Sequence, residues 1–168
     1  RNTGGANTWG GTVTLTGASE IQSDVGTLTL NAANAVTGAN TNLTVDGSGS
    51  TLVSGTITTG TGTLTKAGAG RLTLSGANTY DGATVIDAGT LVAANPLALG
   101  SVVGGTVVAA GANLTIGSVA SVERVTLNGG NALTGTGTAA LAGDVTLATA
   151  DSTITVGAAH RFDQQMRA

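Results

Sequence analysis

Carboxylates are the first residues to test for chemistry: Glu20, Asp24, Asp46, Asp81, Asp87, Glu123, Asp144, Asp151 and Asp163. Glu20/Asp24 and Asp81/Asp87 are the closest pairs outside the C-terminal residues. Paired acids can cleave a glycosidic bond, one as acid and the other as base or nucleophile, and clustered acids can hold calcium. Such sites need acids on adjacent windings with a basic partner. Only Lys66 or Arg71 near Asp81 supplies a local set, so these groups read as solvated corner carboxylates. His160 is the single histidine, which leaves no triad and no His-rich metal site. Cysteine is absent, excluding disulfides and thiolate ligands. SVVGGT and GTGTG are glycine-rich, but no Lys-Ser/Thr follows to hold phosphate. DGSGS and NGGNALTG lack the run of glycine-rich calcium repeats. No catalytic, cofactor-binding or metal residue is expected, and the chain reads as no enzyme.

Charge narrows the partners. The six basic residues, Arg1, Lys66, Arg71, Arg124, Arg161 and Arg167, are scattered and the net charge is −3, so no phosphate-tracking stripe for nucleic acid is present. No uninterrupted apolar run approaches the roughly 20 residues of a spanning helix, and no membrane insertion is expected. The opening RNTGGANTWGG lacks Met and an apolar signal region. It reads as an excised or processed piece of a longer polypeptide.

The elements that would position any such residues are short strands. TVTLT at Thr12, TLTLN at Thr27 and NLTVD at Asn42 alternate apolar and polar residues, the period of a half-buried strand. STLVSGTITTG, GTVVAAGANLTIG, RVTLNGGNALTG and DVTLATADSTITVG continue the pattern, and nearly every link holds Gly, Asn or Asp. With 2% aromatic residues, the core must be Leu, Val, Ile and Ala. A sandwich or barrel would carry larger aromatic plugs and longer hairpin strands. The all-β alternative is a parallel β-helix, in which like residues stack into ladders. Windings of roughly 20 to 25 residues give about seven. AANPLALGS at 93–101 holds the only proline and predicts a short loop or single helical turn. Residues 1–159 are expected as one solenoid, with His160–Ala168 as a tail or end cap.

The densest signal is Lys66–Leu91, KAGAGRLTLSGANTYDGATVIDAGTL. Leu72, Leu74, Val85 and Leu91 are expected to point inward, with Thr73 and Thr84 facing solvent. Gly76 and Gly82 serve corners. Asn78 is expected to bond neighbouring backbone or an Asn stacked above, and Tyr80 to lie over a corner with its hydroxyl in water. Outward T-x-T tracks (Thr12/Thr14/Thr16, Thr27/Thr29, Thr56/Thr58, Thr63/Thr65, Thr134/Thr136/Thr138, Thr153/Thr155) suggest a less favoured reading, an ice-binding hydroxyl-methyl array.

Gly68, Gly70, Leu72, Leu74, Gly76, Asn78, Tyr80, Gly82, Val85, Gly89 and Leu91 stand in a stretch that resembles the passenger-associated transport repeat of bacterial autotransporters. Asp81, where Thr or Ser is common, and Ala83, where Gly is common, are mild departures. The resemblance extends over residues 63–156. It implies a right-handed parallel β-helical passenger, extracellular or on the bacterial surface, exported through a C-terminal outer-membrane barrel. The partners it implies are that barrel and the rest of the passenger. The expected function is a non-enzymatic stalk or adhesin scaffold whose stepwise folding aids export. The alternative is a subunit of an extracellular filament or surface layer that self-associates through open β-helix ends.

Overall fold

The computed structural model describes residues 1–130 and 132–156, which form twenty short β-strands and no helix. His160–Ala168, expected as a tail or cap, lies outside the described residues. Alternating Thr and aliphatic residues favour extended backbone, and the Gly-, Asn- and Asp-containing links stop each strand after a few residues.

The chain winds round three faces. The first winding holds β1 (Ala6–Trp9), β2 (Val13–Leu15) and β3 (Ser19–Gln22). The second holds β4 (Thr27–Leu30), β5 (Asn34–Gly38) and β6 (Leu43–Asp46), and the third β7 (Ser50–Val53), β8 (Thr56–Thr58) and β9 (Leu64–Lys66). The fourth has only β10 (Arg71–Leu74) and β11 (Thr84–Ile86), and the fifth only β12 (Thr90–Ala93) and β13 (Thr106–Val108). Three strands per winding return with β14 (Asn113–Ile116), β15 (Ala120–Ser121) and β16 (Val125–Leu127). The seventh winding is β17 (Ala132–Gly135), β18 (Ala140–Leu141) and β19 (Val145–Leu147), and β20 (Thr153–Val156) opens the next.

All paired strands are parallel. One face is the eight-stranded sheet β1-β4-β7-β10-β12-β14-β17-β20, and the second is the seven-stranded sheet from β3 to β19. The third face is broken into β2-β5-β8 below and β15-β18 above. This is the parallel β-solenoid of about seven windings that the periodicity predicts.

Parallel register stacks like on like. On the eight-stranded sheet Leu28, Thr51, Leu72, Leu91, Leu114 and Leu133 form one inward column. On the seven-stranded sheet Val45, Lys66, Ile86, Val108 and Leu127 form another. Most of these side chains are buried in one continuous core. Each buried aliphatic stabilises by about 1.5–3 kcal/mol before chain entropy is subtracted.

Candidate functional site

The third face breaks at the Lys66–Leu91 stretch, and Asn78 joins the two sides of the break. Below it, the Asn78 Oδ1 accepts the Ile57 N–H at 2.8 Å while the Thr79 N–H donates to the Ile57 carbonyl at 3.1 Å. The amide side chain thus stands in for the missing rung above β8. Upward, the Asn78 N–H donates to the Leu97 carbonyl at 3.1 Å and Nδ2 to the Ala98 carbonyl at 2.6 Å. Both acceptors belong to the turn at Pro96–Leu99, where the sequence predicts a loop or single helical turn. Asn78 is buried, so none of these bonds competes with water.

Three orientations differ from expectation. Thr84, expected in solvent, is buried, while Val85, expected inward, faces out with partial exposure. Val85 and Ile86 are adjacent, and a strand can turn only one of them into the core. Ile86 takes the inward place over Lys66 and below Val108, which forces Thr84 inward too. Tyr80, expected to keep its hydroxyl wet, is fully buried. Its hydroxyl donates to Thr84 Oγ1 at 2.7 Å, and Thr84 in turn donates to the Leu99 carbonyl at 3.2 Å. Burial pushes the Tyr80 phenol well above its ordinary range. An inward threonine is tolerated because this chain of bonds satisfies it.

Of the remaining motif residues, Leu72, Leu74 and Leu91 are buried. Gly70, Gly76 and Gly82 stack on Gly49, Gly55 and Gly62, and a Cβ on any of them would overlap the carbonyl oxygen beneath. Gly68 and Gly89 hold left-handed φ angles of 67° and 69° at the corner entering the eight-stranded sheet.

The carboxylates do not assemble into a catalytic pair. Asp24 pairs with Arg1 at 2.5 Å, Asp81 accepts the Ser101 hydroxyl at 2.6 Å, and Asp46 accepts the Gly47 N–H. Lys66 is 2% exposed, and its Nζ donates to the carbonyls of Ala67, Gly68 and Ala88. Burial lowers its pKa, opposed by the Asp46 charge. Among the described residues no ion pair joins Asp81 to Lys66 or Arg71, and no acidic, His or Cys cluster could hold a metal. His160 and Asp163 lie outside the described residues.

Glu123 is a correction. Expected as a solvated corner carboxylate, it is 3% exposed and accepts the Thr106 hydroxyl at 3.2 Å. Burial pushes its pKa from its ordinary 4.5 up to about 7, against the pull of Thr106 and Arg124. Alternation does carry a signal for it: with Val125 and Leu127 inward, Glu123 falls on the same side. The threonine tracks divide among faces. Thr14 and Thr37 stack beneath Thr58 on the third face, whereas Thr29 and Thr73 flank Leu52 on the eight-stranded sheet.

Comparison with known proteins falls on this same winding. The passenger-associated-transport-repeat family matches residues 64–93. The adhesin BmaC autotransporter of Brucella suis biovar 1 (strain 1330) is 38% identical over 92 residues. That alignment covers 55% of this chain and 3% of the relative, so the chain spans a small part of that protein's length. No solved structure matches the chain. The winding that Asn78 ties into the stack is a passenger-associated transport repeat, and this chain is a parallel β-solenoid carrying an autotransporter passenger repeat.

Proposed function

We propose that the chain is a non-enzymatic scaffold segment of an autotransporter passenger, secreted or displayed at the cell surface, whose winding-by-winding folding aids export. The observation that carries this reading is the position of the matched repeat. It occupies the winding at which the third face loses its strand, and Asn78 bonds both the winding below and the turn above.

The mechanical argument follows from parallel stacking. A segment reaching a folded winding pairs with its edge and buries another row of aliphatic side chains, each worth about 1.5–3 kcal/mol before entropy. Folding outside the membrane then opposes backsliding through the pore without a nucleotide. In the full polypeptide the remaining passenger and a C-terminal barrel are the partners of this segment. The name of the Brucella relative supports an adhesin-type passenger as the parent. Deleting residues 66–91 from the parent and following surface display over time tests the role. Slower display and protease-sensitive passenger are expected, and unchanged rate and folding would refute it.

A second reading, end-to-end assembly into a filament, is favoured by one feature. At the N-terminal end of the stack Trp9 is 55% exposed beside a hollow of about 240 Å³ lined with Val13, Ile21, Leu28 and Leu30. Light scattering across a concentration series decides it: growth in mass supports stacking, and a constant monomer mass rejects it.

A further inference from the structure

The exposed aliphatic residues are not spread evenly over the solenoid. Val102, Val103 and Val122 are 48%, 69% and 57% exposed, and all three lie on the corner entering the seven-stranded sheet. The register that sets Thr106 under Val125 places Val103 under Val122 on adjacent windings. Beside this ridge is a depression of about 300 Å³ whose floor is Gly104 and Gly105 and whose far side carries Arg124 and Asp144. The missing side chains at the two glycines make the depression, and Arg124 overhangs it from one winding up.

Arg124 is the only lysine or arginine between Arg71 and Arg161. Its one protein bond is a long 3.4 Å contact from Nη2 to the Val103 carbonyl, and the ion pair recorded among the described residues is Arg1–Asp24. Most of the guanidinium's donors therefore face the depression. Asp144 follows Arg124 in the same stacked column, since Val125 pairs with Val145, and strands in a sheet lie about 4.8 Å apart.

We propose that this corner docks an extended peptide in which an acidic side chain is flanked by aliphatic ones. The acidic group pairs with Arg124, a backbone N–H of the peptide donates to Asp144, and a neighbouring aliphatic side chain covers the valine ridge. Charge complementarity selects the acid, because this cation stands alone in an acidic chain. The aliphatic rim selects peptide over glycan. Sugar rings are held against aromatic platforms, whereas Tyr80 is buried and Trp9 lies on the first winding.

The test is amide chemical-shift mapping of the full chain with N-acetyl-Val-Glu-Val-amide, its Gln analogue and glucuronate as probes. Shifts confined to Val103–Gly105, Val122–Arg124 and Asp144 are expected with the Glu peptide. The Gln analogue, Arg124→Gln and Val103→Ser should each weaken binding by about tenfold, the scale of one charge-assisted bond or one buried aliphatic contact. Spectra of both variants away from the corner should match the parent, showing that the fold is intact. No shifts at millimolar peptide, equal binding of the Gln analogue, or glucuronate binding that Val103→Ser leaves unchanged would each overturn the peptide site.

Discussion

At the residue scale, two buried polar side chains govern measurable properties of the solenoid. Glu123 is held by the Thr106 hydroxyl, with the Arg124 cation and the buried Tyr80 phenol as its charged and titratable neighbours. Its pKa is higher folded than unfolded, so the folded state binds the proton more tightly. The stability this contributes is complete below the ordinary value of 4.5 and is lost as pH rises through about 7. Thermal unfolding from about pH 5 to about pH 8 should show a falling Tm, and Glu123→Gln should flatten that slope. A parallel decline in both proteins would place the dependence elsewhere. Asn78→Ala removes an acceptor from a buried N–H and a donor from a buried carbonyl. A cost of about 2–4 kcal/mol is expected from urea unfolding, with Asn78→Asp recovering only the acceptor.

At the element scale, the corners are limited by backbone contact. A Cβ on Gly82 would overlap the Gly62 carbonyl, whereas Gly17 has nothing within 4 Å of that position. Gly82→Ala should therefore cost about 1–3 kcal/mol and Gly17→Ala close to none, read as the difference in urea midpoint. Equal effects would mean that the corners relax freely. Much of this was legible in the sequence, because period-two runs with Gly, Asn and Asp corners specify short parallel rungs and stacked Leu columns. Orientation was legible where one apolar residue alternated with threonine, as at Leu72 and Leu74. It failed at Thr84-Val85-Ile86, where two adjacent aliphatics compete for one inward place and only the neighbouring windings decide. Lys66 and Glu123 were legible by alternation from Leu64 and Val125, but charge argued for solvent. Bonds of Lys66 to three carbonyls and protonation of Glu123 make the inward positions tolerable. Asn78's partners come from two other windings at sequence distances of about 20 residues, which local patterning does not encode.

At the scale of the whole molecule, each winding contacts only its neighbours, so stability is a sum of windings and interfaces. In such a stack one winding removed in register is equivalent to another, unless its interfaces are special. Residues 27–49 are an ordinary winding: their removal sets β1 under β7, since Ala6 aligns with Thr27 and Thr27 with Ser50. The third face survives, because β2 and β8 both pair with β5. Residues 71–89 are also one winding in register, Arg71 aligning with Thr90. Removing them instead sets β8 beneath the Pro96–Leu99 turn and discards the four bonds made by Asn78 and Thr79. At about 1 kcal/mol per bond, the second deletion should be less stable than the first by about 4 kcal/mol. Both should show the smaller m-value of a shorter stack, so midpoints multiplied by m are the quantities to compare. Equal stability would make the transport repeat one rung among seven. The predicted gap would make it the splice on which the upper windings are built, and a passenger folding as it emerges would stall at that splice when Asn78 is lost.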